Sequence, residues 1–556
     1  MTPSNAGSAP DTEIHTAAQA VCLHANDNVA VAANPLVAGQ VVQFAKRSET
    51  PNSDSSDPAA VTISEPINMG HKFAIQPIAK GDRILKYGQI IGFASKSIDV
   101  GQWVHTQNVD HSQFDRDHAI ATQIPDAPLP VTDKTFMGFR RPGGKVGTRN
   151  YIGIISTVNC SASVSKTIAR HFTPEHLQDY ENVDGIVALT HSTGCGMAGT
   201  GSRHFDQLQR VMAGFAKHPN IGAYLIIGLG CEVATTQGLI EDGNLVQLNV
   251  TGANSSSTTN KPLETTASEN PNKPISFSIQ ETGGTRKTVT RGIEAVKELL
   301  PLANKATRQP VPASEITLGL ECGGSDAYSG ITANPALGVT SDMLVAAGGT
   351  AILSETSEIY GAEHLLTRRA RNKKVGGKLL ELIEWWQWYT STWGVEINNN
   401  PSPGNKAGGL TTIYEKSLGA VAKGGSTALN AVYDYACPVT DKGFVFMDTP
   451  GFDPPSVTGM VAGGANMICF TTGRGSCFGC KPVPSIKIVT NTETYDRLRD
   501  DMDFNAGIVL EGASVEEVGK QIFELVLSVA SGQKTLSEQH GIGDEEFLPW
   551  HIGPVL

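Results

Sequence analysis

The chain has 556 residues, 40% of them hydrophobic, and 59 glycines, enough apolar mass for about three to four domains, which excludes wholesale disorder. Lys and Arg number 43 against 55 Asp and Glu, and the net charge of −12 argues against a dedicated binder of nucleic acid or of an anionic membrane. No run reaches the roughly 18 apolar residues that a membrane helix needs, the most apolar one being 221–231.

Residues 1–18 lack the basic start and apolar core of a secretory signal and read as a disordered leader. Nine cysteines, an odd and sparse set, fit a reduced cytoplasmic enzyme better than a disulfide scaffold. Over 19–122, short strand-like runs (28–32, 40–44, 83–87, 90–94) are punctuated by Gly39, Gly70, Gly81, Gly88 and Gly101, which predicts a small β-rich domain with a polar loop at 46–60. Residues 123–134 carry three prolines and read as a linker.

From residue 135 the pattern changes. IGIISTV, GIVALTH and AYLIIGLG are continuous apolar runs, as buried parallel strands require, and helical spacing lies between them at 161–172 and 205–217. This predicts a first α/β domain over 135–312, with an exposed Ser/Thr/Asn-rich insertion at 251–283 and a helix at 290–300 stopped by Pro301. A second α/β domain, 313–556, repeats the theme in ITLGLECGG, TAILSETSE, GFVFMDTPG, ANMICFTTGRG and SIKIVTNT, with a terminal helix at 515–531.

Six of the apolar runs end in a polar cluster: Cys160; His191 and Cys195; Cys231 and Glu232; Glu321, Cys322 and Asp326; Glu355 and Glu358; Asp448 and Asp453. Ligands of parallel sheets bind at the carboxyl ends of strands, so recurrence there points to a shared site, although any one such Cys or His alone reads as a core residue. A mixed Cys/His/carboxylate set suits Fe, Zn or Mn, and an all-oxygen set suits Mn or Mg. Three Gly-rich segments look like anion cradles: 143–150 with Lys145 and Arg149, 400–409 with Lys406, and 471–475 with Arg474. None has P-loop spacing, and GLGCEV is not a dinucleotide fingerprint, so nucleotide binding is not supported. Cys477 and Cys480 form one C-x-x-C with no second pair, which disfavours a zinc ribbon. In the β domain His24, His71 and His105 flank turns, where composition alone reads them as surface residues.

HANDNVAVA, GHKFAIQPIAKGDRILKYGQIIGFA, GFRRPGGKVGTRNYIGI, GLGCE, ECGGSDAYSGITANPALG, NPSPGNKAGG and FTTGRG occur in this order, and together they resemble the altronate/galactarate dehydratases, sugar-acid dehydratases with an N-terminal SAF domain. ITANPALG, YGAEHLL and NPSPGNKAGGLTT are most similar to the altronate branch, whereas Ser476–Gly479 departs from the Thr-Pro-Tyr-Gly run of the family. The resemblance implies an α/β multidomain protein: a β-rich SAF domain followed by two α/β units with mostly parallel sheets. It implies loss of water from a hexonate or hexarate, D-altronate above all, by removal of the C2 proton and stabilisation of an ene-diolate. It implies a divalent metal, Fe²⁺ or Mn²⁺. An iron–sulfur cluster on Cys160, Cys195, Cys231 and Cys322 is the alternative, although the spacing is unlike a ferredoxin run.

The candidates for the C2 base are His71, Lys72 and His191. Those for substrate binding are Arg149, Ser325, Asp326, Asn334, Lys406 and Arg474, and those for the metal are His24, Cys195, Cys231, Glu232, Cys322 and Glu355. The alternatives are galactarate dehydration and a sulfolactate sulfo-lyase; the polar strand ends argue against a non-enzymatic sugar-acid-binding protein. The expected partner is a small sugar acid, with no nucleic acid or membrane, and a homo-oligomer is left open. His24 and His71 beside their turns predict that the SAF domain covers the site.

Overall fold

The structure, a computed structural model, describes residues 19–44, 59–112, 114, 116–247 and 273–553. The expected leader lies outside these residues, as do 46–58 of the expected loop and 251–272 of the expected insertion.

The N-terminal domain is antiparallel. Ala20–Val21, Val29–Ala32, Lys72–Ala74 and Trp103–Val104 form one sheet; Arg83–Lys86, Gln89–Ala94 and Val109–Asp110 form a second; Val41–Phe44 pairs with Ala59–Thr62. Residues 59 and 60, expected in a loop, are therefore in a strand. Side chains such as Val42, Phe44, Val61 and Phe73 fill the small core. The 83–94 hairpin turns through Tyr87 and Gly88, both at positive φ (62° and 66°), the pairing that a two-residue turn of this hand demands. The Asp27 carboxylate accepts the amides of Tyr87 (3.2 Å) and Gly88 (2.8 Å) and so fixes a conformation that Tyr87 does not favour by itself.

In the first α/β unit the sheet is parallel, in the order Gly185–Leu189, Tyr151–Ser156, Ile221–Gly228, Ile275–Ser278. All eight residues of Ile221–Gly228 are buried, which explains why that run is apolar without alternation. The strand Ile275–Ser278 corrects the expected 251–283 insertion: its alternating serines read as polar, yet it pairs with Leu225–Gly228 and buries Phe277. The helix Thr285–Ala303 also runs through Pro301, because Leu299, Leu300 and Ala303 are buried on the same face and hold the last turn. A small antiparallel sheet of Val146–Gly147, Thr135–Arg140 and Gln309–Pro312 ties the two ends of this unit together.

The second unit is a seven-stranded parallel sheet in the order Leu429–Tyr433, Gly443–Met447, Thr350–Leu353, Thr317–Cys322, Met467–Thr472, Ser485–Val489, Phe504–Asn505. From Thr317–Cys322 the chain builds to one side and then crosses to Met467–Thr472 on the other. The loops that leave Cys322 and Thr472 consequently part at a topological switch point, the usual ligand crevice of such sheets. The helices Ala333–Ala346 and Val515–Ala530 pack together beside this sheet. No described helix is long and apolar enough to cross a membrane.

Candidate active site

The N-terminal domain docks on the crevice by placing buried charge in it. Lys72 donates to Glu415 Oε2 (2.9 Å) and to the carbonyl of Gly409 (2.7 Å), and Lys86 donates to Glu415 Oε1 (2.9 Å). All three side chains are essentially inaccessible. Tyr328 Oη donates to the Ala32 carbonyl, and Gly409 passes so close to Gly70 that a Cβ on it would fall 2.4 Å from the Gly70 oxygen.

Two ammonium groups share one carboxylate, so the cluster carries a surplus positive charge with no water to disperse it. Burial, with Lys86 adding to it, pulls the Lys72 pKa down to about 8 against the pull of Glu415. For Lys86, Glu415 and Tyr87 outweigh burial and the pKa ends above its ordinary value. Glu415 stays ionised, because its two lysines overcome its own burial.

Beside this cluster, His71 has a defined tautomer. The Trp103 indole can only donate, and it donates to His71 Nδ1 (3.1 Å); the proton therefore sits on Nε2, which faces the Ala407 carbonyl at 3.3 Å. Burial and then Lys72 lower its pKa, which keeps the ring neutral. His105 stacks on Trp103 at 5.2 Å, and its pKa is lowered to about 4 by burial and by Lys72.

Under the dock lies a narrow cavity of about 10 Å³, room for a single water, with Tyr87 on one side and Cys322, Ser325, Glu415 and Lys416 on the other. Its floor is acidic. Cys322, Glu355 and Glu358 are mutually close, as are Glu321, Glu355 and Asp453. Lys423 donates to Cys322 Sγ (2.7 Å) and to Glu355 Oε2 (3.1 Å), and Lys416 donates to Glu358 (2.6 Å) and Asn400 (3.1 Å). Burial, then Glu355, raises the Asp453 pKa to about 7, and Glu321 and Glu358 are raised by the same two causes. Burial and Glu355 also keep Cys322 a thiol against the pull of Lys423. Glu355 itself adopts a left-handed backbone (φ 65°, ψ 67°), strain that places its carboxylate between the two sets.

The all-oxygen set fits a divalent cation. Glu321 Oε1 and Glu355 Oε1 are buried with no hydrogen-bond partner, and the three crowded carboxylates have one ammonium, Lys423, bonded to one of their oxygens, which leaves negative charge that a hard cation would balance. In the Cys322 set, by contrast, the Lys423 ammonium already occupies the anionic focus.

The structure gathers part of the expected site residues. His71, Lys72, Ser325, Asp326, Asn334, Cys322 and Glu355 line or adjoin the cavity and its floor, and Lys406, on the short helix Pro403–Ala407, and Arg474, on the loop after Thr472, are exposed. Two of these are clamps. Asp326 accepts from Tyr328, Ser329, Thr490 and Asn491, and Asn334 bridges Gly419 and Thr471.

The expectation fails elsewhere. All five N–H donors of Arg149 are committed, to both oxygens of Glu538 and to the carbonyls of Thr148, Val529 and Gln533, so it is a structural strut. Glu232 accepts from Thr157, Leu229 and Gly230 and caps a turn. His191 accepts from the Thr193 amide within the first α/β unit, and burial lowers its pKa to about 4. His24 lies against Gly88, and Cys195 and Cys231 are exposed on the first unit; none of the three belongs to a set close enough to hold one ion among the described residues.

Sequence reasoning missed Lys86, Glu415, Lys416 and Lys423. Their signal was present: TTIYEKSLGAVAKGG is a run of apolar helical spacing that carries three charges it has no surface to expose.

Comparison with known proteins agrees with this layout. Residues 18–112 match the altronate/galactarate dehydratase SAF domain, 138–304 the second domain of the D-galactarate dehydratase/altronate hydrolase family, and 313–555 the D-galactarate/altronate dehydratase C-terminal domain. The chain is 34% identical to altronate dehydratase of Bacillus subtilis, over 86% of this chain and 91% of that protein. It is 36% identical to galactarate dehydratase (L-threo-forming) of Escherichia coli, over 88% and 91% respectively. It is 29% identical to (2R)-sulfolactate sulfo-lyase subunit beta of Chromohalobacter salexigens, over 76% of this chain and 98% of that subunit.

Proposed function

Because the chain belongs to the altronate/galactarate dehydratase family, and is thus a hydro-lyase, we propose that it removes water from D-altronate to give a 2-keto-3-deoxy sugar acid, at the crevice between the SAF domain and the second α/β unit, whose narrow cavity opens when the SAF domain moves to admit the substrate. The observation that carries this reading is the clustered Glu321/Glu355/Asp453 set, with its two unpartnered buried oxygens, beside a cavity lined by Lys416.

Among the candidate bases, Lys72 is the best suited to take the C2 proton. Its pKa near 8 leaves a useful neutral fraction at neutral pH, whereas both nitrogens of His71 are engaged by Trp103 and Ala407. His71 then positions the start of the strand that carries Lys72. Lys416, an ammonium in the cavity wall, is the proton donor for the leaving 3-hydroxyl. The exposed Lys406 and Arg474 receive the substrate carboxylate, which net charge −12 does not attract from afar. Glu321, Glu355 and Asp453 would hold a divalent metal, Fe²⁺ or Mn²⁺, which would supply Lewis acidity beside the cavity.

The altronate assignment rests on the ITANPALG and NPSPGNKAGGLTT runs. The 36% identity to a galactarate dehydratase and the departure at Ser476–Gly479, next to Arg474, favour a hexarate as the second reading. The test is metal-stripped protein resupplied with Fe²⁺ or Mn²⁺ and offered D-altronate, galactarate and sulfolactate. A 2-keto acid from altronate supports the proposal. Keto acid from galactarate alone, or sulfite from sulfolactate, overturns it.

A further inference from the structure

The first α/β unit carries a constellation that the proposed reaction does not use. Cys160, Cys195 and Cys231 follow the three neighbouring parallel strands Tyr151–Ser156, Gly185–Leu189 and Ile221–Gly228, and all three thiols are free and exposed. Free cysteine is among the most buried of residue types, so three exposed thiols at one sheet edge are poor candidates for packing residues.

The loops that bear them are locked to one another. The Asn159 amide donates to the Thr193 carbonyl (2.9 Å), and the amides of Val233 and Ala234 both donate to the Gly194 carbonyl (3.1 Å). Thr157 Oγ1 donates to Glu232 (3.0 Å), which in turn accepts the Gly230 amide. Gly194 (φ 97°) lies so close to the neighbouring loop that a Cβ on it would fall 2.3 Å from the Thr157 oxygen. Each bonded residue is within three positions of one of the cysteines, so the three loops that carry the thiols meet at one locus.

We infer that Cys160, Cys195 and Cys231 form a three-thiolate site for a cubane iron–sulfur cluster at the carboxyl edge of the first α/β sheet. The three do not form a set close enough to close on a single ion, unlike the carboxylates of the second unit, and a cluster spans wider thiolate spacing than one zinc or iron does. A [2Fe–2S] centre takes four protein ligands, whereas a cubane held by three keeps one iron free of protein sulfur. Cys322, the fourth thiol of the sequence expectation, is buried against Lys423 and Glu355 in the other unit and is not part of the set.

The surroundings suit an anionic cluster. Cys160 is the second residue of the 13-residue helix Asn159–His171, whose N-cap, Val158, supplies no side-chain acceptor and whose first turn has no acid. Gln280 Nε2 donates to Cys231 Sγ (3.5 Å), the kind of contact that tunes a cluster. Loading from a cluster carried by a small thiol is ligand exchange. Three Fe–S bonds to the carrier break, three to the protein form, and the three cysteine protons pass to the displaced thiolates without change of oxidation state.

The experiment incubates full-length protein, under argon, with a preformed [4Fe–4S] cluster ligated by a small soluble thiol. After desalting, iron, acid-labile sulfide and the visible spectrum are measured. The expected result is about four iron and four sulfide per chain, falling to background in Cys160→Ser, Cys195→Ser and Cys231→Ser and unchanged in Cys437→Ser and Cys477→Ser. Cys→Ala versions of the three, with melting temperatures, separate lost ligation from lost folding. No uptake by the wild type, iron without sulfide, or uptake indifferent to the three substitutions would overturn the inference, and none of these readouts depends on turnover of a sugar acid.

Discussion

The two α/β units treat the carboxyl ends of their strands in opposite ways. In the first, three thiols are left exposed on loops tied by backbone hydrogen bonds, and the one buried cation that was expected to bind substrate, Arg149, is fully occupied by Glu538 and carbonyls. In the second, carboxylates and lysines are driven under a lid that itself contributes two further lysines. One layering thus supports two kinds of site. What differs is whether a third domain seals the strand ends, because the sealed end buries a whole cluster of carboxylates and lysines whose pKa values desolvation and mutual contact shift together, whereas at the open end His191 is shifted chiefly by its own burial.

The largest effect expected is at the sealed end. Glu355→Gln removes the residue common to both acidic sets, and divalent-metal affinity should fall by more than the about 10–100-fold that accompanies loss of a group behind a ligand. Titration with Mn²⁺ followed by electron paramagnetic resonance checks this. Affinity close to wild type would place the metal elsewhere and erase the contrast between the units.

Next comes Lys72→Met. It leaves Glu415 paired with Lys86 but strips the Gly409 carbonyl and Glu415 Oε2 of a buried donor, which costs about 1–3 kcal/mol. Melting temperature should drop, and turnover per folded molecule should vanish if Lys72 takes the C2 proton. In the wild type the pH dependence has a definite sign. A base must be neutral, so kcat/KM should rise with pH and level off above about 8. The folded state also binds fewer protons than the unfolded chain between about 8 and the ordinary lysine value, so stability rises through the same window. Rates must therefore be expressed per folded molecule.

Arg149→Lys sharpens the contrast from the other side. Lysine cannot reproduce two parallel bonds to Glu538 together with three to carbonyls, and a stability loss of about 2–3 kcal/mol is expected with kcat/KM unchanged per folded molecule. A selective fall in kcat/KM would return Arg149 to the substrate site.

Much of this was legible in the sequence, for physical reasons that can be named. Continuous apolar runs gave the parallel strands, and the switch from short Gly-punctuated runs to longer ones marked the SAF domain off from the α/β units. Cys322 and Glu355 were found because they terminate such runs. Ile275–Ser278 was lost because an edge strand with alternating serines has the composition of a loop. Arg149 was misassigned because a Gly-rich turn with a cation looks alike whether the cation faces a ligand or Glu538, which lies 389 residues away. The Lys72–Glu415–Lys86 cluster joins domains more than 300 residues apart in sequence, a pairing that no local pattern encodes.

The smallest effect expected concerns Arg474, which tests whether the rim of the sealed site recognises a carboxylate. Its backbone amide donates to the Gly324 carbonyl (2.8 Å), which ties the loop after Thr472 to the loop after Cys322 across the switch point. That bond belongs to the main chain and survives any substitution. The exposed guanidinium is free to offer two parallel donors, which an ammonium cannot match. Arg474→Lys should therefore keep the melting temperature, because the loop tie and the charge both persist. It should lower kcat/KM by about 1–2 kcal/mol, roughly tenfold or a little more, because the contact is only partly shielded from solvent. An earlier melting transition with unchanged kcat/KM would make Arg474 a turn residue, and the substrate carboxylate would then fall to Lys406, the other exposed cation beside the crevice.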